Sequence, residues 1–169
     1  MICSTTPLQI AKSQYEYIVA DLPHDFSVSA IQALDAANLI LMIASPDMAS
    51  IRAVTAAVDT YEKLGYSDDK VKLVLNTPSP YPHSGLTKEK IESALKIPAI
   101  ATIPFVQNIF IEAINLGQPP VYHNPQELIS GLLEDLAFRM SKESHKKMKP
   151  ENPTESWNRV YKRYQERKR

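Results

Sequence analysis

Tyr17-Ile18-Val19-Ala20-Asp21-Leu22-Pro23 is the stretch on which the reading of this chain turns. An apolar run ending in a carboxylate and a proline predicts a buried strand that carries Asp21 to its C-terminal edge. Ligands of open α/β sheets bind just outside such edges, so an acid there is a candidate for holding a metal ion or a polarised water. The same position also suits a cap on the turn that Pro23 closes.

Outward from that stretch, the chain repeats a strand-then-helix plan. Residues 39–44, 71–76 and 98–104 read as three further strands, the last stopped by Pro104. Between them, Ser27 is a plausible N-cap for a helix carrying Ala30, Ile31 and Leu34 on one face. Ser45-Pro46-Asp47 opens a second helix, with Ile51, Val54, Val58 and Tyr61 at spacings of three and four before Gly65. Leu86, Thr87 and Ile91 form a hydrophobic staple at the start of a third. A helix with Ile109, Phe110, Ala113 and Ile114 on one face ends at Gly117, where a left-handed residue is expected. Asn124 and Pro125 then read as the start of a last core helix lined by Leu128, Leu132, Leu136 and Met140. Four strands alternating with helices predict an α/β fold, a mainly parallel sheet flanked by helices in three layers.

A chain of 169 residues that is 44% hydrophobic and 22% charged is long enough for one domain with a real core. Its longest unbroken apolar run, Leu39 to Ala44, falls far short of the roughly 20 residues that cross a bilayer. With Cys3 as the single cysteine, neither an intrachain disulfide nor a thiolate zinc cluster is available, and a cytoplasmic location is expected. The zero formal net charge hides a division. Residues 1–141 carry 9 Lys and Arg against 15 Asp and Glu, whereas residues 142–169 carry 10 against 4. An acidic body with a basic tail points to an anionic partner for the tail.

The ordered series resembles the MinD/ParA class of P-loop ATPases, nearest to the MinD-like pilus-localisation proteins CpaE and TadZ. It is carried by Tyr17–Asp21 with Leu22-Pro23, Ala33–Ala37, the strand into Ser45-Pro46-Asp47 with Ser50 and Arg52, the strand ending at Asn76, Ile103-Pro104 and Gly117-Gln118-Pro119. The resemblance implies ATP and magnesium as cofactors of the full-length family. It makes Asp21 the switch acid acting on magnesium, and sets Asn76, Pro104 and Phe105 against the adenine. A carboxylate suits hard magnesium, and a side-chain amide can read a purine edge. Phe105-Val106 departs from the family, in which an acid often follows the proline.

A phosphate loop needs clustered glycines followed by Gly-Lys-Ser/Thr, so that backbone N–H groups surround the phosphates. The four glycines here, Gly65, Gly85, Gly117 and Gly131, are isolated, and Lys12-Ser13 has no glycine before it. The sequence therefore looks like the C-terminal portion of such an ATPase, expected not to hydrolyse ATP alone. A missing central strand would leave a sheet edge open to pairing with another chain, as a homodimer or a hetero-association through that edge or the switch face. Other chemistries have less to stand on. His24 lacks a nucleophile elbow nearby, His83, His123 and His145 lack metal-ligand spacing, and Gly-x-Gly-x-x-Gly is absent.

Residues 142–156 read as a linker and 157–169 as a basic amphipathic helix, in which Trp157, Val160, Tyr161 and Tyr164 recur among Arg159, Lys162 and Arg163. Such a helix suits the headgroup region of an anionic membrane, giving a peripheral attachment at the inner face. It suits equally a solvated basic tail, or a helix docked on the acidic body or on a partner; nucleic acid is the less expected anion. Two functions follow from the sequence. One is a MinD/ParA-like module that positions division, pilus or secretion machinery. The other is a non-catalytic localisation or scaffold protein that kept the fold.

Overall fold

The structure, a computed structural model, describes residues 7–77 and 86–168. Cys3, the proline-rich loop from Pro78 onward, His83, Gly85 and Arg169 lie outside the described residues. The chain divides into two compact units, Met1–Ile40 and Leu41–Arg169.

The first unit contains helices α1 (Pro7–Gln14) and α2 (Val28–Ala36). The Lys12 ammonium in α1 donates to the Ala36 carbonyl at 2.9 Å, at the C-terminal end of α2 where a cation meets the negative end of the dipole. Ser27 caps α2 as expected, its Oγ accepting from the Ala30 N–H. Asp25 in turn accepts from the Ser27 N–H at 3.1 Å, and that bond holds its carboxyl below the ordinary 3.8.

The predicted first strand is the main correction. Residues 17–23 form neither strand nor helix, and Ile18 and Val19 are 40% and 95% exposed. An apolar run becomes a strand only when its N–H and C=O groups enter a ladder. The sheet of the described residues has three strands, in the order β1-β2-β3, and this segment is not one of them.

The second unit carries that sheet: β1 (Ile40–Ala44, whose first residue belongs to the first unit), β2 (Val71–Asn76) and β3 (Ala99–Ile103). β2 is central and its Leu73, Val74 and Leu75 are at most 3% exposed, which is why its sequence is apolar without alternation. β1 alternates, with Ile40, Met42 and Ala44 buried while Leu41 and Ile43 are 37% and 55% exposed. β2 and β3 pair in parallel, Leu73 opposite Ala99 and then Val74 opposite Ala101, so that Ile100 is the extra residue of a bulge.

Helix α3 (Met48–Lys63) begins at Asp47, whose carboxylate accepts from the Ser50 N–H at 2.8 Å, and buries Ile51 and Val54. Helix α4 (Lys88–Leu95) is capped by Thr87 and buries Ile91, the residue that the staple identified. Helix α5 (Gln107–Leu116) ends at Gly117 with φ 62°, the left-handed conformation expected there.

A short helix, α6 (Pro120–His123), intervenes before α7 (Leu128–Met140). The expected start of the last core helix at Asn124 is therefore wrong. Asn124 ends α6, and its side-chain oxygen is buried with no hydrogen-bond partner among the described residues. The expected core face of α7 is displaced too: Leu128 is 92% exposed, while Ile129, Ser130, Glu134 and Phe138 are buried. The Arg139 guanidinium donates to the carbonyl of the bulged Ile100 at 3.1 Å, tying α7 to β3. Beyond α7, residues 143–147 of the predicted linker form α8 (Glu143–Lys147), and the tail helix α9 runs Glu155–Glu166 from a Thr154 cap.

Candidate functional site

β2 and β3 end side by side, Asn76 opposite Ile103, and the Thr77 N–H donates to the Ile103 carbonyl at 2.9 Å. Pro104 cannot donate to a ladder, so the chain leaves the sheet there and turns into α5. This places Asn76, Thr77, Pro104 and Phe105 around a depression of about 200 Å³ that Phe110 and Ile114 of α5 complete. The three residues the sequence singled out for a base, Asn76, Pro104 and Phe105, are thus brought together. Phe110 and Ile114 had been read only as a helix face. Their spacing from Pro104 was visible, but not the angle at which α5 folds back over the strand ends.

No ionisable side chain lines the hollow. Its amide, hydroxyl and aromatic faces fit a neutral ring with polar edges, and its volume is below the roughly 300 Å³ at which pockets for drug-sized ligands begin. Among its described lining residues none supplies the cations that a triphosphate requires.

Asp21 belongs to the first unit, exposed and outside any strand. Among the described residues no group of three His, Cys, Asp or Glu side chains could hold a metal ion. Asp21 could contribute one oxygen to magnesium, whose remaining positions are ordinarily filled by water and phosphate.

The tail is the more elaborate construction. Arg159, Arg163 and Arg167 recur every fourth residue of α9 and so share one face, which lies on α7. Arg159 donates to Glu134 Oε1 from Nη2 at 2.6 Å and from Nε at 3.0 Å, and its Nη2 also reaches the Val121 carbonyl at 3.1 Å. Arg163 joins Glu134 Oε2 at 2.8 Å to Asp135 Oδ1 at 3.0 Å, and Arg167 donates to Asp135 Oδ2 at 2.7 Å. The Glu134 side chain is 3% exposed, a depth at which a carboxylate is stable only with partners of this kind. Arg163 also donates from Nη2 to the Gly131 carbonyl at 3.2 Å.

The aromatic residues of α9 are engaged as well. Trp157 stacks on Tyr161 with centroids 4.5 Å apart, and its indole N–H donates to the His145 carbonyl. Tyr164 meets Phe138 edge-on, Val160 is buried, and Lys162 faces solvent. Of the arrangements that the tail sequence allowed, this one is the helix docked on the acidic body. The sequence analysis had not singled out Glu134 and Asp135; two adjacent acids in an apolar helix, set against arginines at four-residue spacing, were the available signal.

A parallel sheet with helical crossovers and a hollow beyond its strand ends defines the class as open α/β. No family model matches the chain. Over 129 residues, 75% of this chain, it is 29% identical to the septum site-determining protein MinD of Thermotoga maritima, covering 47% of that protein. It is 26% identical over the same length to a putative septum site-determining protein MinD of Mesostigma viride, covering 44% of it. Its fold matches the crystal structure of a ParA family ATPase from Chlorobium tepidum with a TM-score of 0.70 at 20% identity, over 79% of this chain and 54% of that one. In sequence and fold the chain is MinD/ParA-like, and it spans less than half the length of the MinD relatives it matches.

Proposed function

We propose that the chain is the base-binding and partner-binding portion of a MinD/ParA-like module that positions cell machinery, at the division site or at a pilus or secretion apparatus. The observation that carries this reading is the convergence of Asn76, Pro104 and Phe105 at the carboxyl ends of β2 and β3. In this reading the Asn76 amide reads the polar edge of an adenine while Phe105 and Pro104 lie against its ring. Asp21 acts on magnesium beside the phosphates, where the ion would neutralise developing charge. The sequence contains no Gly-Lys-Ser/Thr loop, so by itself the chain hydrolyses no ATP. The basic tail makes peripheral contact with an anionic membrane, and the open edge of β1 receives a second chain, a copy of this one or a different protein.

The test is calorimetric and enzymatic. Adenosine should bind weakly and ATP no more tightly, with the binding lost in Asn76→Ala, and no phosphate should be released. Magnesium-dependent turnover abolished by Asp21→Ala would overturn the reading. A second reading, a non-catalytic scaffold with no nucleotide at all, is favoured by the uncharged lining of the hollow, and a complete lack of adenosine binding would select it.

A further inference from the structure

We propose that α9 is an electrostatic latch: Glu134 and Asp135 of α7 hold the arginines through which the tail would bind an anionic lipid surface, so the docked and membrane-bound states exclude one another. The proposal rests on the reading of the tail as a membrane-contacting segment and adds what controls that contact.

The fastening of α9 is ionic more than apolar. Val160 is its only buried residue among those described, whereas Arg159, Arg163 and Arg167 together make five hydrogen bonds to the two carboxylates. A lipid phosphate is the same kind of acceptor as a carboxylate, and a guanidinium fork satisfied by one is not available to the other. Trp157 and Tyr161, the residues suited to a headgroup layer, stack on one another along the same helix and leave α7 with it. Residues 142–169 carry 10 basic side chains against 4 acidic ones, which fixes the occupant as an anionic surface rather than a neutral one. Because two carboxylates compete for three arginines, binding should rise steeply with the density of anionic lipid instead of in proportion to it.

The test uses the full chain with Glu134→Gln and Asp135→Asn combined, and Asp135→Asn alone as a milder variant whose changed side chain is 16% exposed. Hydrogen exchange of residues 155–166 should accelerate about tenfold or more in the double variant while β2 keeps its protection. Co-sedimentation with vesicles containing phosphatidylglycerol should increase several-fold over the parent, with no increase on pure phosphatidylcholine. Unchanged protection of α9 in both variants overturns the latch. Released α9 that binds phosphatidylglycerol no better than phosphatidylcholine overturns the lipid assignment and leaves the latch standing, as does released α9 that binds duplex DNA but not vesicles. Should β2 lose protection in the double variant, the single variant decides, since it leaves the Arg159–Glu134 bonds in place and should show a smaller gain in both readouts.

Discussion

Single residues set the conformation and the burial on which the site stands. Leu73 is fully buried in the central strand, and Leu73→Ala should cost about 2–5 kcal/mol, read as a lower urea midpoint with an unchanged slope. Gly117 at φ 62° has nothing within 4 Å of the place a Cβ would occupy. Gly117→Ala should therefore cost only the backbone term of about 1–2 kcal/mol, a loss that thermal unfolding would register. Asp25 should titrate below 3.8, since the Ser27 N–H favours the carboxylate. A depressed pKa of this kind contributes stability that is fully present above the unfolded value and disappears as pH falls through the folded one. Carboxyl NMR shifts would follow it; a midpoint at or above 3.8 would show that the bond does not persist.

Elements were legible where local pattern and tertiary partner agree. β2, α3, α4 and the Gly117 terminus carry their signals in the residues themselves: a continuous apolar run, a capping carboxylate, a staple and a left-handed glycine. The segment 17–23 has an equally apolar run, but a strand also needs a neighbour, which a one-dimensional pattern does not show. The buried face of α7 was misread for a related reason. Periodicity favoured its leucines, while the position opposite Glu134 is filled by arginines from a helix more than 20 residues later in the chain. Asn76, Pro104 and Phe105 were legible as strand ends, whereas the wall supplied by α5 depended on how Pro104 turns the chain. α9 should also depend on its cap. Thr154 accepts from the Trp157 N–H at 3.1 Å, and Thr154→Ala should destabilise the helix by about 1 kcal/mol, visible as faster exchange confined to its first turn.

At the scale of the whole molecule, the distribution of charge matters more than its sum. A neutral chain with an acidic body and a basic tail can satisfy its own tail, and here it does so through Glu134 and Asp135. The exposed pair Leu41 and Ile43 on edge strand β1 makes the opposite provision, since that strand still has one side to offer. For the proposed pairing of a second copy at that edge, Ile43→Lys should lower the concentration dependence of light scattering without shifting stability by more than about 0.5 kcal/mol. No described helix is long and apolar enough to cross a membrane.

The single surplus residue between Ala99 and Ala101 sets the phase of everything downstream on β3. Were Ile100 paired in a regular ladder from Leu73 opposite Ala99, Asn76 would face Thr102; bulged out, it leaves Asn76 opposite Ile103, one step from the proline that turns the chain away. Arg139 holds the irregularity in place from behind. Excising Ile100 would straighten the ladder and leave Asn76 opposite Ile103, but it would remove the carbonyl to which Arg139 donates. The flaw in the pleat thus gives the sheet an anchor for a helix at no cost to the alignment of its strand ends.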